Sequence, residues 1–140
     1  MVRPDEIEGA VDQGLEVITV PAVRLDQVMA DQPVDVVKVD VEGHELAALR
    51  GAPTLLGVTR PRLVVEAGWV DGDPWASDLA DLYRLLVDEH RYRLWTVVDF
   101  VAGRRPLTLE RFIDTHLWPF EAWNFVALPD GDVLEARVRG

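Results

Sequence analysis

The chain has 140 residues, which is enough for one hydrophobic core and too short for two, so we expect a single domain over residues 1–140. Apolar residues make up 49% and charged residues 28%, as in globular proteins and unlike disordered tails. The net charge of −11 argues against nucleic acid or an anionic membrane as a partner, because both bind basic surfaces. The absence of cysteine excludes thiol catalysis, disulfides and thiolate metal sites.

Targeting and membrane signals are also missing from the sequence. Residues 1–13 are acidic and contain no apolar segment of the kind found in signal peptides. No apolar run approaches the roughly 20 residues that a membrane helix needs. We therefore expect a soluble cytoplasmic protein.

Strand and helix patterns alternate along the first half of the chain. β-Prone residues at 16–20 are followed by a short stretch of helical spacing at 25–30. Residues 34–41 are mostly apolar and end in carboxylates, which is typical of a strand buried in a parallel sheet. A helix is predicted at 44–50.

The second half continues the alternation. A strand at 62–66 precedes a helix that starts at Ser77 as N-cap and runs to about residue 90. Strands are predicted at 92–98 and 123–128, with one helical turn between them at 109–113. The pattern predicts an α/β domain with a mostly parallel sheet. Because the last two strands lack a full crossover helix, we expect them to pair antiparallel at one edge.

Carboxylates concentrate where two predicted neighbouring strands end. Asp40 and Glu66 follow strands that would lie about 4.8 Å apart, so they could share one pocket, as a proton acceptor or a divalent-metal site. Residues 38, 40 and 42 would point to one face of an extended strand, which adds Glu42 to the candidates. The alternative is that Asp40 and Glu42 only favour the start of the next helix through its dipole.

Histidines and tryptophans are weaker candidates. His44 in the first turn of a helix is expected at the surface, and His90 is expected to stabilise a helix C-terminus. His116 lies in an aromatic loop, where packing is the favoured role and a pocket wall the alternative. Trp69 and Trp75 follow the second carboxylate strand and are the tryptophans best placed to cover a substrate.

Several segments together resemble one known family. Residues 36–45, V-V-K-V-D-V-E-G-H-E, correspond to a K-I-D-V-E-G-x-E element. Residues 49–52 and 60–66 correspond to L-K-G-A and P-x-x-x-x-E elements, in the same order and at similar spacing. Residues 23–26 and 123–129 resemble a V-x-T-L-D element and a closing strand. These elements are those of the FkbM family of S-adenosylmethionine-dependent methyltransferases.

The resemblance implies the C-terminal part of a methyltransferase domain, over roughly residues 16–130. The implied fold is an incomplete Rossmann-like class I methyltransferase fold, with the fourth to seventh strands and an extra strand at 16–20. The half that would carry the D-x-G-A-N-x-G cofactor loop and a ribose-binding acid is not found among the 140 residues. A missed upstream start, a gene remnant or a partner subunit would each explain this, and one face of the sheet would then lie bare.

The resemblance also implies a function. S-adenosylmethionine would be the cofactor, with Asp40 and Val41 beside its methionine end. Asp40, Glu42 and Glu66 would be the catalytic candidates, with Asp40 or Glu66 accepting a proton or holding a metal. The acceptor would be a small molecule or sugar with a hydroxyl group, and the chain alone is expected to be inactive. Whether a divalent metal takes part stays open.

Two other classes of function remain as alternatives. The first is a non-catalytic interaction module derived from a methyltransferase half; the second, disfavoured because no nucleophile motif is present, is a carboxylate-pair hydrolase. The strand at 34–41 carries few internal charges, so a sheet edge formed by it would be poorly protected against pairing with another strand. We therefore expect self-association, or a partner that covers the open edge.

Overall fold

The computed structural model describes residues 16, 18, 20–29, 32–68 and 76–138. Its four-stranded sheet has the order β1-β2-β4-β3, with β1 at Val36–Val39, β2 at Arg62–Glu66, β3 at Tyr92–Thr96 and β4 at Asn124–Pro129. The α-helices are α1 Leu25–Val28, α2 Glu45–Arg50, α3 Ala76–Tyr83, α4 Val97–Val101, α5 Leu109–Asp114 and α6 Val133–Val138. Leu55–Thr59 is a π-helical segment, and Arg84–Glu89 continues α3 in the same form. None of the helices in these segments is long and apolar enough to cross a membrane.

Three strands run in one direction and β4 runs against them. β1 pairs with β2 in parallel, with Val39 opposite Val65. β4 pairs antiparallel with β2 on one side and with β3 on the other. The predicted antiparallel pairing of the last two strands is therefore confirmed. The mostly parallel sheet is not, because only one of these three pairings is parallel.

The boundaries of the predicted elements are partly right. The strand at 62–66 has the predicted bounds, whereas the strand predicted at 34–41 is shorter, at Val36–Val39. The strand predicted at 92–98 ends at Thr96, because the Thr96 hydroxyl accepts a hydrogen bond of 3.0 Å from the Asp99 backbone N–H and so caps α4. The β-branched residues after Thr96 favour a strand by their intrinsic propensity, but the cap starts a helix at this point.

Two further predictions need correction. Helix α3 begins at Ala76, so Ser77 lies inside the helix and is not its N-cap. The strand predicted at 16–20 is described only at Glu16, Ile18 and Val20, which are not in a strand. Val17 and Thr19 lie outside the described residues.

One face of the sheet carries the main core. Because alternate residues of a strand point to the same face, Val39, Leu63, Val65, Leu94 and Phe125 all belong to this side. Helical side chains cover them, and these include Leu49, Leu56, Leu79, Leu82, Leu86 and Phe112. The apolar stripe that the sequence predicts on α3 is therefore part of this core.

The opposite face, expected to be bare, is covered at its β3 end. Trp95 is fully buried there, with its indole N–H donating to the Arg104 carbonyl at 2.9 Å and its ring 5.9 Å from that of Phe100. Toward β1 the same face opens, and Val36 is 57% exposed. The expectation was therefore wrong at the β3 end of this face, because the segment after β3 folds back over the sheet as α4.

Strand β1 forms one edge of the sheet. Among the described residues, no strand pairs with its outer side. A groove of about 580 Å³ runs beside it, and its lining is largely apolar. The lining includes Val23, Leu25, Val28, Val37, Val39, Val41 and Leu49. An exposed edge strand beside an apolar groove offers both backbone hydrogen bonds and apolar area to another chain.

We propose that this edge makes the protein self-associate at micromolar concentrations, and we expect Val36→Lys to shift it toward monomer. Val36 is the better probe than Val37, which packs against the core, so that a lysine at Val37 would also disturb folding. The control is Val101→Lys, on α4, where the valine is 80% exposed. Sedimentation velocity measures the oligomeric state. A wild-type chain that stays monomeric at high concentration would contradict the proposal.

Candidate functional site

A tight turn connects β1 to α2 and positions the acidic residues of the motif. Glu42 and Gly43 have positive φ angles of 48° and 87°, and the His44 N–H donates to the Val41 carbonyl at 3.2 Å. Positive φ at both central residues is the pattern of a type I′ turn, which favours glycine. The E-G dipeptide of the motif is therefore explained by backbone geometry.

Glu45 closes this turn and is the buried carboxylate of the motif. Its Oε1 accepts hydrogen bonds from the Val41 N–H at 3.2 Å and the Gly43 N–H at 3.1 Å. A charged acceptor satisfies two backbone donors that the turn leaves without a partner in the sheet. Sequence reasoning missed this role, although a glutamate two residues after a turn glycine is a signal that could have revealed it.

Asp40 lies directly after β1 and forms an ion pair with Lys38, the only lysine in the chain. The hydrogen bond to Asp40 raises the pKa of Lys38 above its usual value, and attraction by Asp40 and Glu66 adds to that increase. Glu66 is the last residue of β2 and stands opposite Asn124 of β4. Strand alternation and register place the side chains of Lys38, Glu66 and Asn124 on the open face, and the ion pair brings Asp40 to them.

The structure thus brings Asp40 and Glu66 to the same sheet edge, at the carboxyl ends of adjacent parallel strands. The alternation of side chains along β1 does not continue to Glu42. The strand ends at Val39, and the positive φ of Glu42 turns its exposed side chain out of the series. The geometric reason for adding Glu42 to the site was therefore wrong, and its catalytic role stays a prediction.

The three histidines lie in different environments. His44 is exposed at the start of α2, and the His90 carbonyl accepts a 2.9 Å hydrogen bond from Arg60. His116 is buried, with Nε2 2.9 Å from the Ala67 carbonyl and Nδ1 2.9 Å from the Phe112 carbonyl. Burial lowers the pKa of His116, and hydrogen bonding to the two carbonyls partly opposes this. His116 therefore ties the loop after α5 to the end of β2.

Trp69 and Trp75, the tryptophans expected to cover a substrate, lie outside the described residues. The described Trp118 and Trp123 lie in the loop that leads into β4, and both are exposed. Trp123 lies directly before Asn124, the cross-strand neighbour of Glu66. Exposed aromatic side chains therefore lie at the same end of the sheet as Glu66.

The described residues supply only part of a metal or cofactor site. No three of their histidine, aspartate or glutamate side chains converge as metal ligands. The Val41 side chain is exposed and lines the groove beside β1, which fits one wall of a cofactor site. The Val41 and Gly43 N–H groups are engaged by Glu45, and the sequence has no D-x-G-A-N-x-G loop to supply other donors. The described residues therefore fit one wall of a site for S-adenosylmethionine.

We expect Glu45→Ala to lower the free energy of unfolding by about 1.5–3 kcal/mol, because two backbone donors lose a charged acceptor. Glu42→Ala is the matched control: its side chain is exposed, and we expect a change within about 0.5 kcal/mol. Urea unfolding followed by circular dichroism measures both. Equal effects of the two substitutions would mean that Glu45 does not organise the turn.

Comparison with known proteins gives one family. A methyltransferase FkbM domain model matches residues 3–94, which include α1, β1, α2 and β2 and reach into β3. Searches of curated protein sequences and of solved structures gave no significant match. The family match spans more than half of the 140 residues and contains Lys38, Asp40 and Glu66. The chain belongs to the FkbM methyltransferase family.

Proposed function

We propose that this chain supplies the acceptor side of an S-adenosylmethionine-dependent O-methyltransferase site. The observation that carries the proposal is the placement of Asp40 and Glu66, at the ends of two adjacent parallel strands in a chain of this family. In open α/β sheets, ligands bind outside the carboxyl ends of the strands. The family supports methyl transfer, and the two carboxylates support a hydroxyl as the acceptor.

The two carboxylates have different surroundings, which suggests different roles. Asp40 is held by Lys38 next to Val41, so it would border the cofactor and stay in place. Within the described part of the chain, no hydrogen bond or ion pair engages the Glu66 carboxylate, although Lys38 attracts it electrostatically. Glu66 is therefore free to accept the proton of a bound hydroxyl.

The reaction needs alignment and proton removal. S-adenosylmethionine, when bound, supplies the electrophilic methyl group. Glu66 would accept the hydroxyl proton as the acceptor oxygen attacks, which is general-base catalysis worth about 10²–10⁴ in rate. Lys38 would hold Asp40 in place through their ion pair and would keep a positive charge near Glu66. Each of these steps uses a side chain at the same sheet edge.

We expect Glu66→Gln to lower turnover by about 100-fold or more, because glutamine cannot accept the proton. Asp40→Asn should also reduce turnover, through loss of the Lys38 ion pair. Transfer of a labelled methyl group to hydroxyl acceptors measures this, with the chain supplemented by an FkbM-type segment that carries the D-x-G-A-N-x-G loop. Asp35→Asn, exposed before the other end of β1, is the control. Wild-type turnover in both site variants would refute the paired-carboxylate site.

We expect the 140-residue chain to bind S-adenosylmethionine weakly or not at all. The sequence lacks the glycine loop whose backbone donors approach such a cofactor, and the N–H groups at the strand end are engaged by Glu45. Isothermal titration calorimetry on the purified chain measures the affinity. A micromolar dissociation constant would show that residues other than a glycine loop hold the cofactor.

The second candidate function is a non-catalytic interaction module, and the groove beside β1 favours it. A chain that bound a partner strand there, with no methyl transfer in the supplemented assay, would have this role. Methyl transfer that Glu66→Gln abolishes while partner binding stays unchanged would support the methyltransferase, whereas an interaction module would show partner binding and no methyl transfer in the wild type. Glu66 is not among the residues that line the groove.

A further inference from the structure

A small cavity lies between the turn after β1, the end of β2 and helix α3. Its volume is about 20 Å³, which is room for one water-sized group. The walls are mostly apolar and include Leu46, Ala67, Leu79 and Leu82, whereas Glu45 is the charged residue among those that line it. In open α/β sheets ligands bind outside the carboxyl ends of the strands, and the cavity lies at that end of β1 and β2. The proposed transfer step does not use it.

Glu45 is buried with only half of its carboxylate engaged. The residue is 6% exposed, and its Oε1 accepts the hydrogen bonds from the Val41 and Gly43 N–H groups. Within the described segments of the chain, Oε2 accepts no hydrogen bond and no cationic side chain pairs with it. A buried charged oxygen without a partner is costly, so this arrangement points to a hydrogen-bond donor that occupies the cavity.

The charges around the turn favour a cation as this donor. Lys38 is already paired with Asp40, and the exposed Glu42 adds a further negative charge to the turn. His44, directly before Glu45, is exposed, and its Nδ1 lies 3.4 Å from the Glu42 carbonyl. The chain as a whole carries a net charge of −11, which attracts cations. A water molecule would supply a hydrogen bond only, whereas a cation would supply a hydrogen bond and also compensate the buried charge.

We propose that the cavity binds the primary ammonium group of a small organic cation, which donates a hydrogen bond to Oε2 of Glu45. An ammonium group is similar in size to a water molecule and carries several N–H donors. The carbon atom attached to the nitrogen would contact the apolar walls, such as Leu79 and Leu82. A divalent metal fits less well, because no three metal-ligating side chains converge in the described residues. The inference holds whether or not the chain transfers a methyl group.

Methylammonium chloride is the probe for this site, added to the isotope-labelled 140-residue chain and followed by amide NMR spectra. Sodium chloride keeps the ionic strength constant during the titration. We expect saturable shifts of the Gly43 and Leu46 amide signals with a dissociation constant of about 10 mM, near the limit for so small a ligand. Tetramethylammonium chloride is the control ligand, because it has the same charge but no N–H group and is too wide for a cavity of about 20 Å³. It should produce no saturable shift of these signals.

Glu45→Gln removes the charge, while the new side-chain carbonyl can still accept from the Val41 and Gly43 N–H groups. We expect this variant to bind methylammonium about tenfold more weakly or worse. Glu42→Gln, which changes an exposed carboxylate in the same turn, is the matched control and should bind as the wild type does.

Circular dichroism checks that each variant is folded. If Glu45→Gln does not fold, the comparison of the two cations on the wild-type chain decides the question alone. The proposal would be overturned by the absence of a saturable shift in the wild type, by an equal response to tetramethylammonium, or by unchanged binding in folded Glu45→Gln.

Discussion

The parallel pairing of β1 with β2 is the constraint on which the candidate site depends. With Val39 opposite Val65, the two strands end at the same level, and the next residue of one and the last residue of the other are both acidic. Two carboxylates at adjacent strand ends repel each other in proportion to their proximity. The lysine two positions before Asp40 lies on the same face and offsets this repulsion. One register therefore determines the location, the charge balance and the accessible face of the site.

A second constraint is the way each strand leaves the sheet. β1 turns back through two residues of positive φ that Glu45 holds from inside, whereas β2 passes into Ala67 and Gly68 beneath the Trp123 ring. The segment that leaves β1 places charged residues at the end of the sheet, and the segment that leaves β2 packs against an aromatic ring. Both exits lie at the same end of the sheet. A short sheet can thus present two kinds of surface without a deep cavity between them.

The sequence was sufficient for the elements whose pattern is local. Residues 62–66 alternate between inward and outward positions after a proline, and this strand was predicted with its observed bounds. The turn into α4 could not be predicted in the same way, because Val97 and Val98 favour a strand and only the Thr96 cap reverses that preference. Glu42 was assigned by strand alternation, which failed where the backbone entered the left-handed region. The sequence predicts an aromatic loop around His116 and favours packing as its role, but the contact that fixes the loop, His116 with Ala67, joins residues far apart in the chain and has no local pattern.

The open side of β1 favours association with another chain, and the acidic net charge opposes it. The distances over which apolar burial and charge repulsion act decide which effect is larger. At physiological ionic strength, charges separated by more than about 8 Å are largely screened, so the charge of −11 opposes association mainly when surfaces are already close. Burial of apolar area acts at contact and contributes about 25 cal/mol for each Å² removed from water. Several hundred Å² along the groove would then outweigh the remaining repulsion. The ion pair between Lys38 and Asp40 adds to this, because it neutralises charge at the very edge where another strand would pair. The same lysine that pairs with Asp40 would therefore also lower the repulsion that another strand meets at this edge.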